Sequence, residues 1–141
     1  MILLDTNVLS ALMEVAPDET VARWLDQQPR DSIWLTSVTV MEVRFGLHTL
    51  PASRKHNALA QALATLLDEK IQGRVASFDA AAAEQAAELM ALRKVKGRPM
   101  DLRDTMIAGI ALASRATLAT RNTAHFEDLT VPVINPWKDQ K

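Results

Sequence analysis

Short apolar runs alternate with helical periodicity along this 141-residue chain, and that alternation predicts an α/β fold built on a parallel sheet. Five β-like runs, at 2–4, 33–36, 74–78, 117–120 and 131–134, are separated by helical patterns rather than by tight turns. With 48% hydrophobic residues at this length, one compact domain over residues 1–141 can bury a sizeable core.

The first run, Ile2-Leu3-Leu4, leads directly into Asp5-Thr6-Asn7 and so delivers a carboxylate to the carboxyl end of a buried strand. Helices are predicted over 8–13 and 19–27, the second with Val21, Trp24 and Leu25 on one face. After the second strand, 39–50 places Val40, Val43, Leu47 and Leu50 at helical spacing, and Pro51 stops it. The alanine-rich stretches 58–70 and 79–94 are helical by propensity. The last predicted helix, 102–115, carries Met106, Ile107, Ile110 and Ala111 as one stripe.

Composition excludes several classes. The 16 Lys and Arg against 17 Asp and Glu give a net charge of -1, so any contact with nucleic acid must use a local patch. The absence of cysteine excludes disulfides and thiolate zinc sites. No run approaches the ~20 apolar residues of a membrane helix, and no signal peptide is seen at the start. The expectation is a soluble, cytoplasmic protein with no membrane role.

Two further carboxylates sit at predicted helix starts, Glu42 after the second strand and Asp104 before the fourth. Each has a plain structural reading. Thr39-Val40-Met41-Glu42 fits a capping box, Asp101-Leu102-Arg103-Asp104 resembles one with Asp in place of Glu, and Asp5 could simply cap the first helix. Taken as a set, three acids converging on one cleft would repel each other unless a cation neutralised them. A carboxylate cluster without cysteine or paired histidines favours a hard ion such as Mg²⁺ or Mn²⁺. Such ions activate water and stabilise charge on phosphate, which is the chemistry of phosphodiester hydrolysis.

Four motifs occur in one order: Leu3-Leu4-Asp5-Thr6-Asn7; Val40-Met41-Glu42-Val43-Arg44-Phe45-Gly46; Arg98-Pro99 leading to Asp104-Thr105-Met106-Ile107-Ala108-Gly109; and Ala119-Thr120-Arg121-Asn122-Thr123. Together they resemble a PIN-domain ribonuclease, of the VapC or FitB toxin type, over essentially the whole chain. The resemblance implies a three-layer α/β/α fold with a five-stranded parallel sheet in the order 3-2-1-4-5. It implies catalytic and metal-holding roles for Asp5, Glu42 and Asp104, with Mg²⁺ or Mn²⁺ as cofactor and Thr6 as a supporting hydroxyl. The fourth position, often Asp in the wider family, is Asn122, an oxygen donor without charge. The further acid often found soon after it is absent, and His125 stands there. The resemblance also implies a type II toxin–antitoxin pair: a toxin that cleaves RNA and dimerises, and a small antitoxin that blocks the acidic pocket and binds operator DNA.

Other residues divide between two readings. Asp101 is expected as a helix N-cap. His48, His56 and His125 lack ligand spacing and are expected at the surface or in loops, and Trp24, Trp34 and Trp137 are expected to pack. The basic run 93–98 either grips RNA phosphates, through Lys96 and Arg98, or is a solvated helix end whose cations complement the dipole. Arg121 is expected to flank the pocket and reach RNA.

Rival functions fare less well. A haloacid-dehalogenase-type phosphatase needs a second Asp where Asn7 stands, a receiver domain needs an early acidic pair, and both glycine-rich phosphate loops are missing. A catalytically silent PIN-like binding module has no chemical need for Asp5, Glu42 and Asp104 together.

Overall fold

The computed structural model describes residues 1–138. Strands β1 (Ile2–Leu4), β2 (Ile33–Thr36), β3 (Val75–Ala76), β4 (Thr117–Ala119) and β5 (Val133–Ile134) form one sheet in the order β3-β2-β1-β4-β5, every pairing parallel. Helices α1 (Thr6–Met13), α2 (Glu19–Asp26), α3 (Ser37–Thr49), α4 (Arg54–Thr65), α5 (Ala80–Val95) and α6 (Leu102–Ser114) fill the connections. The strand order and the layering are those implied by the resemblance.

Alternation along the strands sorts the core into two halves, as the two-residue period of a strand requires. Leu4, Ile33, Leu35 and Ala119 face a core shared with α1, α2, α3 and α4, whereas Leu3 and Leu118 face a second core filled by α5 and α6. Both faces of the sheet are therefore covered, the condition under which parallel sheets occur. Trp24 is buried in the first core, and Trp34 and Trp137 pack against the two cores from partly buried positions, as expected.

Several boundaries differ from expectation for identifiable reasons. The third strand shrinks to two residues because the Arg74 N–H turns back to Ile71 O (3.0 Å) and the Phe78 N–H goes to the Ser37 hydroxyl (3.1 Å). Between α4 and β3 the predicted single helix gives way to a π-helical turn, Leu66–Ile71, ended by left-handed Gln72. The capping box at Thr39 does not form. Strand β2 passes into α3 without a loop, so its last residue, Thr36, is the cap, accepting the Thr39 N–H at 3.0 Å. Glu42 consequently lies in the second turn of α3 rather than the first.

Helix α5 ends where sequence places a glycine. Gly97, at φ 69°, donates to Lys94 O, and the next N–H, from Arg98, reaches back to Arg93 O. This is the double bond pattern that closes a helix on a left-handed residue. Among the described residues no helix is long and apolar enough to cross a membrane.

Helices α5 and α6 approach closely at Gly109. A Cβ at Gly109 would stand 2.5 Å from the Ala82 carbonyl oxygen and 2.9 Å from Ala86 Cβ. Gly109→Ala is expected to force the helices apart and cost about 1–3 kcal/mol, the usual range for overpacking. A lowered urea midpoint with an unchanged slope would register it.

Candidate active site

Asp5 stands immediately after β1 and begins α1. One carboxylate oxygen, Oδ1, accepts the Thr6 N–H at 2.8 Å, and the other, Oδ2, accepts from the Thr120 hydroxyl at 2.7 Å and from Asn7 Nδ2 at 3.2 Å. The capping reading is thus true of a side chain that also meets Thr120 across the sheet. Thr120 follows β4 as Asp5 follows β1, and the Leu4–Ala119 pairing sets them abreast. Asp5 is only 4% exposed. Burial raises its pKa, the three hydrogen bonds pull it back, and the charge of Asp104 raises it further.

Glu42 reaches the same place from α3. Its Oε1 accepts from the Thr6 hydroxyl at 2.8 Å, and Thr6 in turn lies 3.2 Å from the Thr39 hydroxyl beneath it. Its Oε2 lies 3.5 Å from Arg103 of α6. Asp104 comes from the first turn of α6, where Asp101 is the cap and accepts the N–H groups of Arg103 and Asp104. Asp104 Oδ2 lies 3.1 Å from His125 Nδ1. Burial raises the Asp104 pKa, His125 opposes that rise, and the charges of Asp101 and Glu42 add to it. Asp5, Glu42 and Asp104 therefore form one electrostatic group at the carboxyl ends of the central strands, the crevice where open α/β sheets bind ligands. Beside Thr6 and Glu42 a cleft of about 300 Å³ opens between α1, α3 and α4.

The family profile described as PIN domain matches residues 2–131. The chain belongs to the PIN domain family. It is 38% identical to a protein of Sinorhizobium fredii (strain NBRC 101917 / NGR234) named VapC ribonuclease Y4jK, across 98% of this chain and 99% of that protein. It is 36% identical to Toxin FitB of Neisseria gonorrhoeae (strain ATCC 700825 / FA 1090), across 99% of this chain and all of that one. A solved structure of FitAB bound to an IR36 DNA fragment superposes with a TM-score of 0.89 at 34% identity, covering 100% of this chain and 99% of that one.

Nucleases with a PIN domain generally depend on a divalent metal. The donor set here suits a hard cation, being three carboxylates with no sulfur, two of them with pKa raised by burial and, to a lesser degree, by neighbouring carboxylates. Among the described residues no three acidic or histidine side chains are gathered tightly enough to enclose an ion. Glu42 leans on Arg103 and Asp104 on His125 instead.

The remaining expectations divide. Thr6 is at the site, bridging Asp5 and Glu42. Asn122 is exposed and contributes its backbone N–H to the Thr120 hydroxyl at 3.0 Å. Arg121 gives its N–H to Asn7 Oδ1, while its guanidinium lies 4.9 Å from the centroid of the Trp137 ring. Lys96 and Arg98 are exposed after α5, with Arg98 3.5 Å from Glu127. The basic run is not uniform, however. Arg93 is 3% exposed and binds both oxygens of Asp128, at 2.8 and 2.9 Å, so it cannot grip RNA. His125 is likewise not a bystander, since it meets Asp104. Sequence reasoning gave no site role to Thr120 or Asn7. The signal for Thr120 was its place at the end of the strand beside β1.

The Arg93 contact holds the Asp128 carboxyl below its ordinary value of 3.8, with Lys96 adding to the effect. A lowered folded-state pKa contributes stability above the unfolded value, lost as pH falls through the folded one. Asp128→Asn is therefore expected to weaken the fold at pH 7, with its deficit relative to wild type shrinking as the pH falls from the ordinary carboxylate value through the lowered one, and a series of urea melts across acidic pH as the measurement.

Proposed function

We propose that this PIN domain, residues 1–141, is a metal-dependent endoribonuclease and the toxin of a type II toxin–antitoxin pair. The observation that carries the reading is the grouping of Asp5, Glu42 and Asp104 at the ends of the central strands, with Asp104 in electrostatic reach of the other two. In this reading the substrate is RNA. The partners are a second copy of the chain and a small operator-binding antitoxin whose segment covers the acidic pocket, with the cleft beside Glu42 available to it.

Asp5, Glu42 and Asp104 would hold Mg²⁺ or Mn²⁺. When bound, the ion supplies the positive charge that activates a water and stabilises the phosphate as its P–O bond breaks. The protein's own groups fix the donors. Thr120 and Asn7 hold Asp5 Oδ2 in place, Thr6 orients Glu42, and the α6 N-terminus carries Asp104. Arg103, half-exposed beside Glu42, is a cation at the edge of the site. Lys96, Arg98 and Arg121 are exposed and suited to contact RNA phosphates.

Purified protein with Mg²⁺ or Mn²⁺ is expected to cut cellular RNA into discrete fragments, and EDTA to prevent it. Asp5→Asn, Glu42→Gln and Asp104→Asn should each reduce cleavage by at least about 100-fold, the scale on which electrostatic groups act, with circular dichroism unchanged. Full activity in all three variants sinks the assignment. Asn122→Asp should tighten Mn²⁺ binding in calorimetry by adding a charge to the cluster. Unchanged or weaker affinity removes Asn122 from the site.

A further inference from the structure

His125 sits 21 residues after Asp104, in the 3₁₀ turn Thr123–Phe126, and its ring is half-exposed. An exposed histidine–carboxylate contact of this kind would ordinarily contribute little. Its surroundings are unusually fixed. Phe126, the next residue, is fully buried. The His125 N–H donates to Asn122 O at 3.0 Å, and its carbonyl accepts from Arg93 Nη2 at 2.9 Å.

That same guanidinium secures the other side of the contact. Arg93 Nη1 donates at 3.1 Å to the hydroxyl of Thr105, the residue after Asp104, and this hydroxyl donates to Asp101 O at 3.0 Å. Nε and Nη2 meanwhile bind both oxygens of Asp128. One planar, buried fork from α5 thus joins the first turn of α6 to the turn that carries His125, and a rigid fork of donors fixes both partners in position.

We propose that His125 is a positioning residue: its Nδ1–H holds Asp104 Oδ2 and so presents the carboxylate to the reaction in one orientation, with Arg93 as the clamp that keeps ring and helix in register. The inference rests on the endoribonuclease reading. Groups that orient ion-binding side chains in this way typically change metal affinity or activity 10–100-fold when removed.

The test compares wild type, His125→Ala, His125→Asn and Arg93→Lys. Asn can place an amide N–H near the Nδ1 position, and Lys keeps the charge of Arg93 without its fork. Three quantities are read: kcat and KM for RNA cleavage with Mn²⁺, calorimetric affinity for Mn²⁺ alone, and Tm of the metal-free protein. His125→Ala should lower kcat and Mn²⁺ affinity by about 10-fold or more, with KM and Tm nearly unchanged. His125→Asn should recover most of both, and Arg93→Lys should shift both in the direction of His125→Ala. Wild-type kcat and affinity in His125→Ala overturn the proposal, as does an Asn variant no better than the Ala one. Should wild type itself cleave nothing, the nuclease reading falls, and the Mn²⁺ affinities of the two His125 variants still decide this one.

Discussion

A carboxylate held almost wholly out of water sets the terms for the rest of this structure. Asp5 needs donors close at hand, because an unpaired buried charge costs several kcal/mol. It obtains them from three places: its own helix at the Thr6 N–H, the side chain of Asn7, and the Thr120 hydroxyl 115 residues away. The last is possible only if β1 and β4 are parallel neighbours in register, Leu4 beside Ala119. The β1–β4 junction is also where the strand order reverses direction, so the constraint on one side chain and the location of the crevice have the same origin.

The three acids around that crevice are not equivalent. Asp5 is surrounded by neutral donors, Glu42 by a threonine and an arginine, and Asp104 by a histidine. Burial dominates the proton affinities of Asp5 and Asp104, and a partner's hydrogen bond offsets it in each. The site thus joins one deep carboxylate, fixed by the sheet, to two less buried ones delivered by helices, each beside a side-chain partner.

Packing between α5 and α6 transmits that order to the surface. The alanine run that makes α5 a good helix former also keeps its inner face thin, and opposite Gly109 this lets the two backbones come together. Within the basic run at the end of α5, Arg93 turns inward to join α5, α6 and the loop before β5, while Lys96 and Arg98 stay outside. A single stretch of positive charge thereby serves structure at one end and solvent at the other.

Sequence by itself determined the five strands and six helices of the described residues and, through their alternation, a parallel sheet, because apolar periodicity, caps and a proline stop are local signals, while the strand order came with the family resemblance. It also placed Asp5 at a strand end and Asp104 in a first turn, since Asp101 caps α6 as its residue type predicts. Tertiary structure alone decided that Thr36 rather than Thr39 starts α3, which moves Glu42 by most of a turn. It alone paired Thr120 with Asp5 and His125 with Asp104, and took Arg93 out of the solvent. Each of these is a contact between segments far apart in the chain, and no local pattern of charge or hydrophobicity specifies which partner a side chain will meet across a sheet.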